Sequence, residues 1–136
     1  MYNFEILPHT SDFRLKINGN NIEELFLGAI AGMNSVIKTG DLSEKKEVSV
    51  NIEIYSEDAS MLLIDFLSEV LSISHIKKAI FSEILFNSLT NKELNANVKG
   101  FEVDGFDEDI KAVSYSETEI RRNDTGQFEA IVVFDI

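Results

Sequence analysis

Two hydrophobic periodicities alternate along this 136-residue chain, and their order restricts the folds open to it. Two segments space their apolar residues three and four positions apart, as one buried face of a helix requires. The first covers residues 20–39, with Asn20 or Asn21 available as its N-cap. The second begins at Ser56 or Asp58 and is predicted to end near His75. The sequence therefore predicts two long helices, each with one apolar face.

The other segments alternate apolar and polar residues with a period of two, which is typical of strands with one buried face. One strand is expected before Pro8, and Asn91 marks the turn of a predicted hairpin. The last segment is apolar on both sides, so we expect it to be a central strand. The remaining predicted strands are Phe13–Ile17, Glu47–Ile54, Ile80–Phe86, Leu94–Val98, Ile110–Ile120 and Phe128–Ile136.

The predicted order is strand, strand, helix, strand, helix and then four strands, which is too irregular for a doubly wound parallel sheet. We predict an α+β fold, a two-layer sandwich with two main helices packed on a mainly antiparallel sheet. The length allows one domain, over residues 1–136, and the 44% hydrophobic share is enough for one core.

Charge and cysteine content exclude several classes of protein. The chain has 12 Lys and Arg residues and 24 Asp and Glu residues. The resulting net charge of −12 repels nucleic-acid phosphates and anionic membranes. Direct nucleic-acid or membrane binding is therefore not expected. The chain has no cysteine, so disulfides, thiolate metal sites and cysteine nucleophiles are excluded. No signal peptide or apolar span is apparent, and a cytoplasmic location is expected.

Three groups of polar residues are candidate sites. Pro8–Asp12 would project His9 and Asp12 together, although such a segment is also typical of a polar turn. Asp135 and Ile136 place a side-chain carboxylate beside an α-carboxylate, which suits a hard divalent cation; the alternative is a solvated strand end.

Asp65 and Glu69 lie one helical turn apart, where a shared ion or a nearby cation would offset their repulsion. The alternative is an ordinary solvated helix face. His75 fits the end of a helix better than a ligand position. The sequence has no phosphate-binding glycine loop, no zinc-protease motif and no nucleophile elbow, so no catalytic residue is assigned.

Five segments, taken in order, resemble the archease family. Pro8-His9-Thr10-Ser11-Asp12 is similar to its His-Thr-Ala-Asp element, and Asn21–Phe26 to the start of its first helix. Leu62–Leu71 resembles its Leu-Leu-x-Asp-Trp-Leu-x-Glu-Leu-Leu helix. Ile110–Tyr115 and Val132–Ile136 resemble its Val-Lys-Ala-Val-Thr-Tyr strand and its terminal Val-Val-Phe-Asp-Ile.

The resemblance implies an accessory protein that activates an RtcB-type RNA ligase in tRNA splicing, tRNA processing or RNA repair, by promoting ligase guanylylation and turnover. It also implies a divalent cation (Ca²⁺, Mg²⁺ or Mn²⁺) held by Asp12, Asp135 and the main-chain oxygens of Ile136. Two other functions fit the residues: a metal-dependent hydrolase in which His9 acts as acid or base, and a chaperone-like interaction module.

The sequence departs from the family pattern at three places. Ser116 stands where a His commonly follows the strand motif, and Phe66 replaces the Trp of the second helix. Asp104–Asp109 is acidic where the family has a basic stretch with a His.

Overall fold

The computed structural model describes residues 1–7, 12–37, 45–115 and 118–136. Two helices and eight strands occur in these ranges. The helices are α1 (Ile22–Ile37) and α2 (Ala59–Lys77). The strands are β1 (Asn3–Leu7), β2 (Asp12–Gly19), β3 (Glu47–Tyr55), β4 (Ala79–Leu89), β5 (Glu93–Glu102), β6 (Ala112–Ser114), β7 (Arg121–Arg122) and β8 (Phe128–Asp135).

The first sheet contains the strand that we predicted to be central. Its order is β1-β2-β8-β6, with the short β7 also paired to β8, and every pairing is antiparallel. β8 therefore has a partner on each side. Its core-facing residues Ala130, Val132 and Phe134 are buried, and so is Val133 on the opposite face, which explains the unbroken apolar run.

The second sheet has the order β3-β5-β4 and includes the predicted hairpin. Gly100 of β5 lies against Phe81 of β4. A methyl group at Gly100 would overlap the Ile80 carbonyl oxygen, so the two backbones approach as closely as only glycine permits.

Both helices pack into one hydrophobic cluster that contains residues of both sheets. Gly28 and Gly32 of α1 lie one turn apart and face Ile17 and Leu15 of β2 at distances that leave no room for a Cβ. α2 begins at Asp58, whose carboxylate accepts a hydrogen bond from the Met61 N–H at 2.9 Å, as an N-cap does.

α2 is long and apolar enough to cross a membrane by length and composition alone, with a mean hydropathy of 1.4. Buried core helices have the same properties. Eight of its residues are buried, and it contacts α1 and strands of both sheets. These contacts are those of a core helix.

The α+β class and the packing of two helices on antiparallel strands are confirmed. The predicted strand over Ile110–Ile120 is wrong in extent, since among its described residues, 110–115 and 118–120, only Ala112–Ser114 pairs with β8. Farther on, the Ile120 N–H donates to the Ser60 hydroxyl on α2, at 3.0 Å, instead of to a neighbouring strand.

Candidate functional site

The register between β2 and β8 brings two predicted metal ligands together. Asp12, the first residue of β2, lies directly opposite Asp135, the last residue of β8. Side chains opposite each other in an antiparallel pair have Cβ atoms about 4.5–5.5 Å apart, and like charges in this arrangement are destabilising. The sheet thus places two carboxylates within reach of a single cation.

The buried residues beside these carboxylates fix that register. Phe13 pairs with Phe134, whose side chain is fully buried in the core. A shift of one residue would bring Phe134 to the outer face and a carboxylate into the core. Asp12 and Asp135 consequently share the face of the sheet that points away from the core, and Asp12 is half-buried there while Asp135 is exposed.

The end of β8 is held on its other side by β6. Asp135 lies opposite Ala112, and its carbonyl oxygen accepts a hydrogen bond from the Lys111 N–H at 2.7 Å. Ile136 follows, half-buried and packed against the core. Pairing on both sides therefore fixes the position of Asp135 opposite Asp12.

The predicted ligand set contains two side-chain carboxylates and the main-chain oxygens of Ile136. Across residues 1–7, 12–37, 45–115 and 118–136, no three His, Asp or Glu side chains are placed to hold a metal ion. The set therefore stays a prediction. Residues 8–11 of the predicted polar segment, including His9, lie outside the described residues.

The carboxylate of Asp65 has partners that the sequence did not indicate. Its Oδ1 accepts a hydrogen bond from the Tyr115 hydroxyl at 2.7 Å, and its Oδ2 accepts one from the Ser56 hydroxyl at 2.6 Å. The hydrogen bond and the negative charge of Asp65 raise the pKa of Tyr115. These hydroxyl donors satisfy Asp65 without Glu69, which is exposed, and the shared ion or nearby cation expected for the two carboxylates stays a prediction.

His75 lies in the last turn of α2, as predicted. Its exposed ring stacks on Phe106 with centroids 5.4 Å apart. Phe106 belongs to the acidic stretch 104–109, which is thereby anchored beside the end of the helix.

Two of the contacts described above link segments that are far apart in the sequence. Asp12 pairs with Asp135 across the sheet, and Tyr115 donates a hydrogen bond to Asp65. A family model described as the Archease protein family (MTH1598/TM1083) matches residues 4–136 and so includes all four. The chain belongs to the archease family.

Curated archease proteins are similar over nearly the whole chain. The protein archease of Methanosarcina acetivorans is 30% identical over 142 residues, covering 98% of this chain and 95% of the relative. The protein archease of Pyrococcus abyssi is 29% identical over 143 residues, covering all of both chains.

Two solved structures share the archease fold described above. The solution structure of Methanobacterium thermoautotrophicum protein 1598 has a TM-score of 0.76 at 28% identity and covers 98% of each chain. The crystal structure of an archease, possible chaperone (TM1083), from Thermotoga maritima has a TM-score of 0.70 at 19% identity. It covers 97% of this chain and 96% of that one, and at this identity it supports the fold alone.

Proposed function

We propose that this archease family member is a non-enzymatic accessory protein of an RtcB-type RNA ligase. It would bind a divalent cation through Asp12, Asp135 and main-chain oxygens of Ile136, and promote guanylylation and turnover of the ligase in tRNA splicing or RNA repair. The proposed location is the cytoplasm.

The observation that carries the metal site is the pairing of Asp12 with Asp135 across β2 and β8. Oxygen ligands suit hard cations such as Ca²⁺, Mg²⁺ and Mn²⁺. A bound cation of this kind would offset the repulsion between the carboxylates and polarise phosphate oxygens. The residues of this chain hold the carboxylates in place through the pairing of Phe13 with the buried Phe134, and through the hydrogen bond from the Lys111 N–H to the Asp135 carbonyl oxygen.

The net charge of −12 favours a basic protein as the partner. An RNA ligase needs a positive groove for its substrate, so this chain would reach RNA through the ligase.

A guanylylation assay with purified ligase, GTP and Mn²⁺ tests this proposal. We expect the wild-type chain to accelerate guanylylation and Asp12→Asn to lose most of that effect. Asp124→Asn is the matched control, because Asp124 is an exposed carboxylate in the turn before β8.

Equal acceleration by wild type and Asp12→Asn, or none by the wild type, would contradict the proposal. Turnover of phosphoesters by the isolated chain, abolished in Asp12→Asn, would indicate a metal-dependent hydrolase instead.

A further inference from the structure

The strand β3 forms one edge of the second sheet. Its pairing with β5 is unbroken over nine residues, Glu47–Tyr55, none of which is a proline or a lysine. At the other edge of this sheet, two register shifts interrupt the pairing of β4 with β5. Bulges, prolines and lysines commonly protect an edge strand from pairing with another chain. β3 has none of these features, so its edge is suited to accept a further strand.

The backbone groups at this edge have no partner in the part of the chain that the structure describes. The Lys46 carbonyl oxygen, just before β3, accepts a hydrogen bond from the Glu102 N–H of β5 at 2.8 Å. The Ser56 N–H, just after β3, donates one to the Lys92 carbonyl oxygen at 2.8 Å. Because hydrogen-bonded and non-hydrogen-bonded positions alternate along an antiparallel pair, the even-numbered residues of β3 are bonded to β5. The odd-numbered residues direct their N–H and C=O groups to the free edge, and they are Glu47, Ser49, Asn51, Glu53 and Tyr55.

β3 is complementary to itself in one antiparallel register, with Asn51 opposite Asn51 of a second copy. All nine residues then pair, and each odd-numbered residue exchanges two backbone hydrogen bonds with the residue opposite. Glu47 lies opposite Tyr55 and Ser49 opposite Glu53, so that hydroxyl groups face carboxylates. This register places no like charges directly opposite each other.

The two neighbouring registers fit less well. An axis at Val50 would place Glu47 opposite Glu53, and like charges in this arrangement are destabilising. An axis at Ile52 would move the first two residues of β3 past the end of the opposing strand. The sequence of β3 therefore favours the axis at Asn51.

The side chains on both faces of β3 suit this register. On the outer face, the Asn51 amide donates to the Oδ1 atoms of Asn95 and Asn97 on β5, at 3.0 and 2.7 Å, and so points away from the free edge. On the core side, Val48 and Ile54 are only half-buried. They would lie opposite each other across the two copies, where pairs of β-branched side chains stabilise a sheet.

We infer that two copies of this chain associate through β3, antiparallel about Asn51, to form one continuous sheet from β3, β5 and β4 of both copies. The inference goes beyond the proposed function and does not depend on it. Asp12 and Asp135 lie in the other sheet, so the dimer would carry two carboxylate pairs. The net charge of −12 on each copy opposes association, and added salt should therefore strengthen the dimer.

Sedimentation equilibrium of the full chain, at concentrations up to about 1 mM, tests the association. We expect a reversible equilibrium of monomer and dimer that NaCl strengthens. Ser49→Glu should weaken the dimer about tenfold, because it creates two like-charge pairs with Glu53 of the opposite copy. Ser82→Glu is the matched control, since it adds the same charge at an exposed position of β4.

A wild-type chain that stays monomeric over this range, or equal effects of Ser49→Glu and Ser82→Glu, would overturn the inference. If the chain is monomeric by itself but Ser49→Glu weakens its binding to the ligase, the edge belongs to the ligase and the dimer is wrong.

A second substitution tests the register. Residues 49 and 53 lie about 13 Å apart along one strand, too far to pair within a copy, but they are opposite each other between copies. Adding Glu53→Lys to Ser49→Glu should therefore restore the affinity of the wild type. Adding Glu69→Lys instead gives the same net charge from an exposed position on α2 and should restore much less. Equal recovery in the two double variants would contradict the register.

Cross-linking locates the axis directly, because the chain has no cysteine of its own. Opposed residues of a hydrogen-bonded antiparallel pair have Cα atoms about 5.5 Å apart, within the range of a disulfide. Asn51→Cys should form a disulfide-linked dimer under mild oxidation, and Ser82→Cys on β4 should do so far more slowly. Thermal unfolding verifies that each variant folds. Equal rates of cross-linking at the two positions would show that the axis does not lie at Asn51.

Discussion

The Tyr115 hydroxyl donates a hydrogen bond of 2.7 Å to the carboxylate of Asp65. This contact joins the end of β6 to the middle of α2, and the Ser56 hydroxyl joins the end of β3 to the same carboxylate. Asp65 thus connects a helix with strands from both sheets. These two hydrogen bonds explain why a carboxylate stands at position 65 in the otherwise largely apolar segment Leu62–Leu71.

The first prediction concerns this connection. Tyr115→Phe should lower the free energy of unfolding by roughly 1 kcal/mol, because Asp65 loses one hydroxyl donor. Asp65→Asn should cost more, since it weakens the hydrogen bonds from both Tyr115 and Ser56. Urea unfolding of the two single variants and the double variant measures the coupling, and strictly additive losses would contradict a direct interaction.

The second prediction concerns the pKa of Tyr115, which the hydrogen bond to Asp65 raises above the ordinary value of 10.0. A raised pKa in the folded state means that this contact stabilises the fold fully below about pH 10, and that the contribution is lost as the pH rises through the raised pKa. Tyrosine ¹³Cζ shifts measure the titration.

Asp65→Asn should move the pKa of Tyr115 back towards 10.0. The pKa of Tyr55, which a hydrogen bond from its hydroxyl to Glu53 raises, should not move and serves as an internal control. An unchanged pKa of Tyr115 in Asp65→Asn would show that Asp65 does not cause the raised pKa.

The third prediction concerns the close approach of β4 and β5. Gly100→Ala should destabilise the protein by at least about 2 kcal/mol, because the new methyl group would clash with the Ile80 carbonyl oxygen. Gly105→Ala is the control: a Cβ there meets no atom within 4 Å, so its effect should stay within about 0.5 kcal/mol. Similar midpoints of thermal unfolding for the two variants would show that β4 lies farther from β5.

The fourth prediction concerns a buried hydroxyl in α2. Ser74 is fully buried, and its Oγ has no hydrogen-bond partner among the described residues. Ser74→Ala should therefore stabilise the protein by about 1 kcal/mol, since an unpaired buried polar group is removed. Ser72→Ala on the exposed side of the same helix corrects for helix propensity. A loss of stability in Ser74→Ala relative to Ser72→Ala would indicate that the hydroxyl has a partner.

The sequence predicted the elements whose periodicity is set by local burial. α1, α2, β2, β3, the β4–β5 hairpin and the central β8 all follow from apolar spacing. The division of the strands into two sheets and the short extent of β6 depend on pairing between distant segments. Likewise, the partners of Asp65 lie 9 and 50 residues away in the sequence, so no local pattern identifies them.

The sequence also predicted only part of the candidate metal site, because the rest depends on pairing between distant segments. Asp12 and Asp135 were singled out from the sequence, but their direct opposition depends on the register of two strands at opposite ends of the chain. That register is fixed by buried neighbours such as Phe134, which lies in the apolar run of the last predicted strand.

The central claim is that Asp12 and Asp135 hold a divalent cation together. Anomalous diffraction from crystals of the full chain soaked in Mn²⁺ tests it most directly, with Asp12→Asn crystals as the control. We predict an anomalous peak that contacts the carboxylates of both Asp12 and Asp135 and is lost in the variant. An absence of density at this pair in wild-type crystals, or an identical peak in Asp12→Asn, would contradict the claim.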